Sequence, residues 1–402
     1  MNRLASLSIV LLAGSVLSAS ALADTGVINL GPEEIIKAKG KEIVVPGYSV
    51  PSFEDWNNDG RKDLIVGEGG GGVTGKIRVY LNVGTDADPC FADYFYAQVY
   101  RAFDITCTPE GCLGCFPRLV DWDEDGGKDL LVGYGDGTVK VFTNSGTENA
   151  SSFDGATDLA VGYAPFTLDV GARATPSLVD WNNDDMPDIV AGGLDGAIHV
   201  YYNCGCGGYI PPRFNFSPSV GFFAQANGRD LIVPSGRSSP VIIDADGDGK
   251  KDIITGNTDG QILFYKNVGT DYLPTFAGYT MVESNGKPIQ LLGSLRSRPF
   301  VCHWTGSKDA AWDLLVGYGD GKIRLYRGNP QAGDFNGKGT LGDFNSNGTL
   351  DADDFTILVK TLDRPVPVGG SPADLNQDRV VNDLDLRIFA DLWLAAYGAD
   401  KK

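Results

Sequence analysis

Histidine is nearly absent, with two in 402 residues. That leaves little for general-base chemistry near neutral pH, where imidazole is the usual agent. The chain also lacks a Gly-x-Ser-x-Gly nucleophile elbow, a His-Glu-x-x-His zinc motif and a phosphate-binding loop. Positive charge is scarce: 33 Lys and Arg stand against 52 Asp and Glu, for a formal net charge of -19. Such a surface repels nucleic acid and anionic lipid, so no nucleic-acid partner is expected. Beyond residue 23 no apolar run approaches the length of a membrane span.

What is present begins with "MNRLASLSIVLLAGSVLSASALA". One early positive charge at Arg3, a short apolar core and the small-x-small triplet Ala21-Leu22-Ala23 read as a secretory signal peptide over residues 1–23, cleaved after Ala23. An uncleaved anchor is the competing reading, but Gly14, Ser15 and Ser18 interrupt its core. The mature chain is therefore expected to be secreted. Seven cysteines in that setting suggest disulfides, with one thiol left over. Cys107, Cys112 and Cys115 form a Cys-x4-Cys-x2-Cys run, and Cys204 and Cys206 flank one glycine. The first spacing also occurs in iron–sulfur proteins, but stapling of a loop insertion suits a secreted chain better. Connectivity stays open.

A repeat dominates the middle of the chain. "VPSFEDWNNDGRKDLIVGEG" from Val50 returns as "FPRLVDWDEDGGKDLLVGYGDG" from Phe116, "TPSLVDWNNDDMPDIVAGGLDG" from Thr175 and "SPVIIDADGDGKKDIITGNTDG" from Ser239. A fifth, altered copy, "RPFVCHWTGSKDAAWDLLVGYGDG", starts at Arg298. The prolines at 51, 117, 176, 240 and 299 place the copies about sixty residues apart. Each copy reads as an apolar strand, an acidic loop, a second apolar strand, an Asp-Gly turn and an alternating strand such as "TVKVF" or "KIRLY". Segments before the proline, "KAKGKEIVVPG", "QANGRDLIVPSG" and "ESNGKPIQLLGS", supply a fourth strand. The last copy lacks that segment and the first has one in front, so a strand near residues 33 to 46 is expected to complete the final unit. The expected fold is all-β, a five-bladed β-propeller with acidic loops, followed by a small α-helical C-terminal domain. An open solenoid is the alternative, but neither end shows a polar cap.

The acidic loops align as Asp-x-(Asp/Asn)-x-Asp-x-x-x-Asp: Asp55, Asn57, Asp59 and Asp63; Asp121, Asp123, Asp125 and Asp129; Asp180, Asn182, Asp184 and Asp188; Asp244, Asp246, Asp248 and Asp252. Alternating oxygen ligands around a tight turn wrap a hard cation, and an all-oxygen donor set selects Ca²⁺ over zinc or copper. The competing reading is a turn whose Asp and Asn side chains satisfy their own backbone. In the fifth copy His303 stands at the first-aspartate position and Asp313 lies ten residues on, so no cation is expected there and His303 reads as a packed side chain. Trp56, Trp122 and Trp181 follow the first aspartate of three loops, a register that suggests packing between units more than a sugar platform.

On "DWNNDGRKDLIVG" and "DADGDGKKDIITG" the units resemble the FG-GAP or VCBS-type repeats of integrin-like propellers, over roughly residues 30 to 328. That resemblance implies a chiefly structural calcium tying the loop between the first two strands of a blade. Members include adhesion proteins, lectin-like binders and polysaccharide-degrading enzymes, so the fold does not name the activity.

After Arg327 the composition changes. Asp343, Asn345, Asn347, Gly348, Asp351 and Asp354 occupy positions 1, 3, 5, 6, 9 and 12 of an EF-hand-type loop, followed by the helical run "FTILVKTL". A second loop offers Asp374, Asn376, Asp378, Asn382 and Asp385, with Arg379 in place of the glycine, before "LRIFADLWLAAYG". These paired loop–helix units resemble a type I dockerin over about residues 334 to 398. The resemblance implies docking to a cohesin-bearing scaffold through a helix face that would include Ala352, Asp353, Asp383 and Leu384, although the Ser-Thr pairs of well-known examples are missing there. A calcium-folded module without a partner is the plainer alternative. The domains are then expected at 1–23, 24–328 and 329–402.

Two functions compete. One is a secreted calcium-binding propeller that binds a polysaccharide or cell-surface ligand and is tethered by its dockerin. The other is a dockerin-bearing glycoside hydrolase or polysaccharide lyase, which needs a facing pair of carboxylates. Glu54 and Glu68 are the unassigned acids nearest the first repeat, and neither has a partner legible in the sequence.

Overall fold

The structure, a computed structural model, describes residues 28–107, 114–123, 125–147, 151–161, 166–203, 214–215, 223–291, 293, 296–305, 312–328, 355, 358 and 359. The signal segment, Cys112, Cys204, Cys206 and every loop acid of the C-terminal units lie outside them. Residues 355, 358 and 359 are helical. No helix among the described residues is long and apolar enough to cross a membrane.

Each sequence copy forms one antiparallel sheet of four strands, here called a blade. The first is built from Val50–Glu54, Asp63–Gly70, Val73–Asn82 and Phe91–Tyr96. The second comprises Phe116–Val120, Asp129–Gly133, Val139–Phe142 and Thr157–Asp158. The third has Thr175–Val179, Asp188–Gly192, Ile198–Asn203 and Phe214–Asn215, and the fourth Ser239–Ile243, Asp252–Gly256, Ile262–Tyr265 and Thr280–Met281. The fifth takes Arg298–Cys302, Asp313–Gly317 and Ile323–Tyr326 from its own copy and Glu33–Ile35 from the far end of the chain. First strands touch in sequence, second blade on first, third on second, and so to the fifth, which touches the first again. The five sheets therefore close into a ring, with first strands innermost and all acidic loops at one face.

Blades are held by the space between them. The second strands are buried throughout, because each sheet is covered on both faces by its neighbours. Five apolar clusters fill the gaps, and each takes in the residue that follows the first loop position: Trp56, Trp122, Trp181, Ala245 and Trp304. Trp56, Trp122 and Trp181 are 6%, 7% and 3% exposed, so they are packing residues and no sugar platform. Burial of each such side chain is worth about 1.5–3 kcal/mol or more.

Two expectations need correction. The segments before the prolines are not fourth strands; they are small hairpins, Lys37–Ala38 with Lys41–Glu42, Gln225–Ala226 with Arg229–Asp230, and Glu283–Ser284 with Lys287–Pro288. Their first arms pair in parallel with the next blade's outer segment, as Ala38 does with Phe91 and Gln225 with Thr275. The closing strand is accordingly Glu33–Ile35 alone, upstream of the hairpin, and Asn29–Leu30 adds a second tie to Glu283–Ser284. Cys107 and Cys115 form a disulfide with Cα atoms 5.5 Å apart, as stapling of that insertion requires. Cys90 and Cys302 are both free, so more than one thiol is left over.

Candidate metal centres

Each acidic loop joins the first strand of a blade to the second, and the ladder between those strands fixes both of its ends. Position 9 sits where the second strand begins and is buried: Asp63, Asp129, Asp188 and Asp252 are 0–1% exposed. Its Oδ2 accepts the N–H of the residue after position 1, from Trp56 at 3.0 Å, Trp122 at 2.7 Å, Trp181 at 2.9 Å and Ala245 at 3.0 Å. Its Oδ1 accepts the N–H of an asparagine closing the third strand, Asn82, Asn144, Asn203 or Asn267, each at 2.7 Å. These asparagines were not singled out from the sequence, although "LN", "TN", "YN" and "KN" recur fifteen to nineteen residues after the aspartate.

Positions 1, 3 and 5 lie on the open side of the turn. In the second blade the structure gathers carboxylate oxygens of Asp121, Asp123 and Asp129 within 4.8 Å of one another, and in the fourth those of Asp244, Asp246 and Asp252. Asp125 stays nearby, accepting the N–H of Gly127 at 2.7 Å, and Asp248 accepts that of Lys250 at 3.0 Å. The first and third loops do not gather three acids in this way, since asparagine stands at position 3. Their turns are held by backbone bonds to Asp55 and Asp180, from Gly60 at 2.8 Å and Asp185 at 2.9 Å. The Asn57 and Asn182 amides donate to Asp59 and Asp184 at 3.1 and 2.9 Å.

Several loop oxygens suit a cation. Asp121 Oδ1, Asp244 Oδ1 and Asn57 Oδ1 are buried acceptors with no hydrogen-bond donor. Left so, each would cost about 1–3 kcal/mol. Burial pushes the Asp63 carboxyl up to about 6 and those of Asp188 and Asp252 to about 7, in spite of two N–H donors each. Burial, with the charge of neighbouring acids, also raises Asp123 and Asp244. A hard divalent ion among these oxygens would supply the missing positive charge and reverse those shifts. In the fourth loop Lys266 already contacts Asp246, and Lys250 lies 3.3 Å from Asp248; in the first, Arg61 contacts Asp59.

The fifth loop separates the two roles of position 9. His303 stacks on Trp312 with ring centroids 3.9 Å apart, the packed side chain that the sequence suggested. Asp313 nevertheless accepts from Trp304 N at 2.7 Å and Gly328 N at 2.9 Å, the same two bonds as in the other blades. Pinning the backbone therefore does not need an aspartate at position 1. Of the two unassigned glutamates, Glu68 is 3% exposed, ion-paired with Arg78 and bonded by the Tyr96 hydroxyl at 3.1 Å. Glu54 is near Lys62, 3.9 Å away, and burial raises its carboxyl. They sit at opposite ends of one strand pair, so they do not face each other.

Fold and loops together define a class: a ring of repeated sheets carrying acidic loops on one face that could hold metal. Residues 180–255 match the FG-GAP-like repeat and residues 341–390 the type I dockerin domain. The chain thus carries an FG-GAP-like repeat and, at its C-terminal end, a type I dockerin domain. No curated protein matches. Among solved structures it is similar to a GH43_1 enzyme from Xanthomonas citri complexed with xylotriose, at 11% identity and TM-score 0.41 over 74% of this chain and 89% of that one. A glycosyl hydrolase from Bacteroides ovatus is similar at 9% identity and TM-score 0.43, over 78% and 94%. BBS1N in complex with ARL6DN is similar at 11% identity and TM-score 0.35, over 77% and 100%.

Proposed function

We propose that this chain is a secreted, calcium-stabilised binding protein: a propeller over residues 24–328 that presents one face to a polysaccharide or cell-surface ligand, and a dockerin over 329–402 that attaches it to a cohesin-bearing scaffold. The observation that carries the calcium reading is the set of buried loop oxygens without donors, Asp121 Oδ1, Asp244 Oδ1 and Asn57 Oδ1, with three acids gathered in the second and fourth loops. Ca²⁺ fits them because every donor is oxygen and each loop combines carboxylates with a tight turn. In each loop the ligands would be positions 1, 3, 5 and 9. Within the dockerin they would be Asp343, Asn345, Asn347, Asp351 and Asp354, then Asp374, Asn376, Asp378, Asn382 and Asp385.

Binding is favoured over catalysis because the two unassigned glutamates nearest the first repeat do not form a facing pair. Glu68 is neutralised by Arg78, and the length of a strand separates it from Glu54. Hydrolysis at a glycosidic bond needs two carboxyls about 5–9.5 Å apart. The test is a polysaccharide screen of the calcium-loaded full chain, read for both retention and released products, alongside capture by a cohesin. Saturable binding without products supports the reading; product release replaces it with the enzyme. Chelation with EGTA should lower the melting temperature by many degrees, and an unchanged melt removes calcium from the account.

A further inference from the structure

The innermost strands present alternate side chains to the axis of the ring. Two contacts identify which. The Arg298 guanidinium lies 5.3 Å from the centroid of the Phe116 ring, and that of Arg118 lies 5.1 Å from the centroid of Phe300. Arg298 and Phe300 belong to the fifth blade, Phe116 and Arg118 to the second, and these blades are not neighbours. They meet only across the axis. Both arginines are therefore inside the channel, where an uncompensated charge is costly. Arg118 has the charge of Glu54 to support it and donates to the Pro117 carbonyl at 3.1 Å. Arg298 is 2% exposed, donates through Nη1 to the carbonyl of its own neighbour Ser297 at 2.7 Å, and has an Nε with no hydrogen-bond partner.

Three more arginines stand at the mouth. The residue three before the blade proline is Arg173, Arg237 or Arg296 in the third, fourth and fifth blades, and Tyr48 or Gly114 in the first and second. All three arginines have left-handed backbone, with φ of 63°, 59° and 78°, which non-glycine residues adopt only at a cost. Each is held there by its N–H, which donates to the hairpin of the preceding blade at Gly135, Leu194 or Thr258. The ring symmetry thus fixes three arginine Cα atoms around one opening, at the face away from the acidic loops. After burial, the charges of Arg296, Arg237 and Arg173 are what most depress the Arg298 guanidinium, to about 9. In a chain of net charge -19 this is a local reversal of sign.

We propose that this axial mouth is an anion site, formed by Arg298 with Arg173, Arg237 and Arg296, that takes the carboxylate or sulfate group of an acidic sugar. Guanidinium groups bind such groups through paired N–H donors, and the buried Arg298 gives the site a floor already stripped of water. The proposal rests on the polysaccharide-binding reading above and narrows it to anionic glycans.

Calorimetric titration of the calcium-loaded full chain with galacturonate oligomers, sulfated galactan oligomers and neutral galactan oligomers tests it, with Arg237→Gln and Arg296→Gln as variants. Arg296 donates to the Tyr48 hydroxyl and lies over its ring, so melting temperature and calcium stoichiometry are measured for each variant, and a binding loss counts only where both match the parent. The expected result is binding of acidic oligomers only, weakened about tenfold or more in each variant. Which acidic series binds distinguishes carboxylate from sulfate. Neutral oligomers bound as well as acidic ones, or acidic binding indifferent to both substitutions, overturns the anion site while leaving a glycan-binding protein. Stabilisation by inorganic sulfate alone, with no oligomer bound, overturns the sugar assignment, and a chain that binds no glycan in any screen overturns both readings.

Discussion

At the scale of single residues, one aspartate does two things, and the fifth blade tells them apart. Asp313 keeps both N–H bonds of position 9 although His303 stands where the other loops have their first aspartate. Asp313→Ala would leave the N–H groups of Trp304 and Gly328 without acceptors, at a cost of about 1–3 kcal/mol each. The variant is expected to be at least 2 kcal/mol less stable in denaturant melts, equally so with calcium or with EGTA. Wild-type stability would show that the carboxylate pins nothing. The aspartate spacing was legible in the sequence because four copies could be laid over one another. The pinning bonds were not, since their donors, one inside the loop and one at the end of the third strand, are backbone groups that any residue carries. For the same reason the axial arginines went unnoticed: Arg173, Arg237 and Arg296 are far apart in the chain, and only the closed ring brings them together.

At the scale of elements, the blades are spaced by glycine. The last residue of the regular second strand is Gly67, Gly133, Gly192, Gly256 or Gly317, and an added Cβ would fall 2.0–2.4 Å from a carbonyl oxygen of the next blade, that of Cys115, Ala174, Ser238, Ser297 or Ser49. Gly133→Ala must therefore push two blades apart and should cost about 1–3 kcal/mol. Gly228→Ala is the control, for its φ of 73° faces open space and carries only the left-handed penalty of about 1 kcal/mol. Equal losses in urea melts would mean that these glycines serve the backbone and not the interface. Three strands of each blade were readable because their apolar runs are four or more residues long. The fourth was misplaced: Thr157–Asp158 and Thr280–Met281 are two-residue strands, too short to show a period, while the hairpins before the prolines carry the stronger pattern.

For the whole molecule, the ring is only as sound as its seam. Glu33–Ile35 covers the outer edge of the fifth blade, and Ile28 and Leu30, 4% and 2% exposed, complete the core between the fourth and fifth. Deleting residues 28–36 removes three buried side chains, Ile28, Leu30 and Ile36, worth roughly 5 kcal/mol or more together, and bares an edge strand. Size-exclusion and melting measurements should show a less stable chain that self-associates, and a synthetic peptide spanning 28–36 should reverse both. A monomer of unchanged stability would mean that the ring closes without it.

The same seam decides how the molecule bears load. Gly31 N–H donates to the Arg327 carbonyl at 2.7 Å, so the chain leaves the propeller beside the place where it enters. Ile323–Tyr326, the last strand before the exit, is gripped on one side by Asp313–Gly317 and on the other by Glu33–Ile35. A pull transmitted from the C-terminal module along that strand strains both ladders at once instead of peeling one bond after another. On the proposed attachment through the dockerin, tension would thus meet a strand held on both flanks, beside the point where the chain enters the ring.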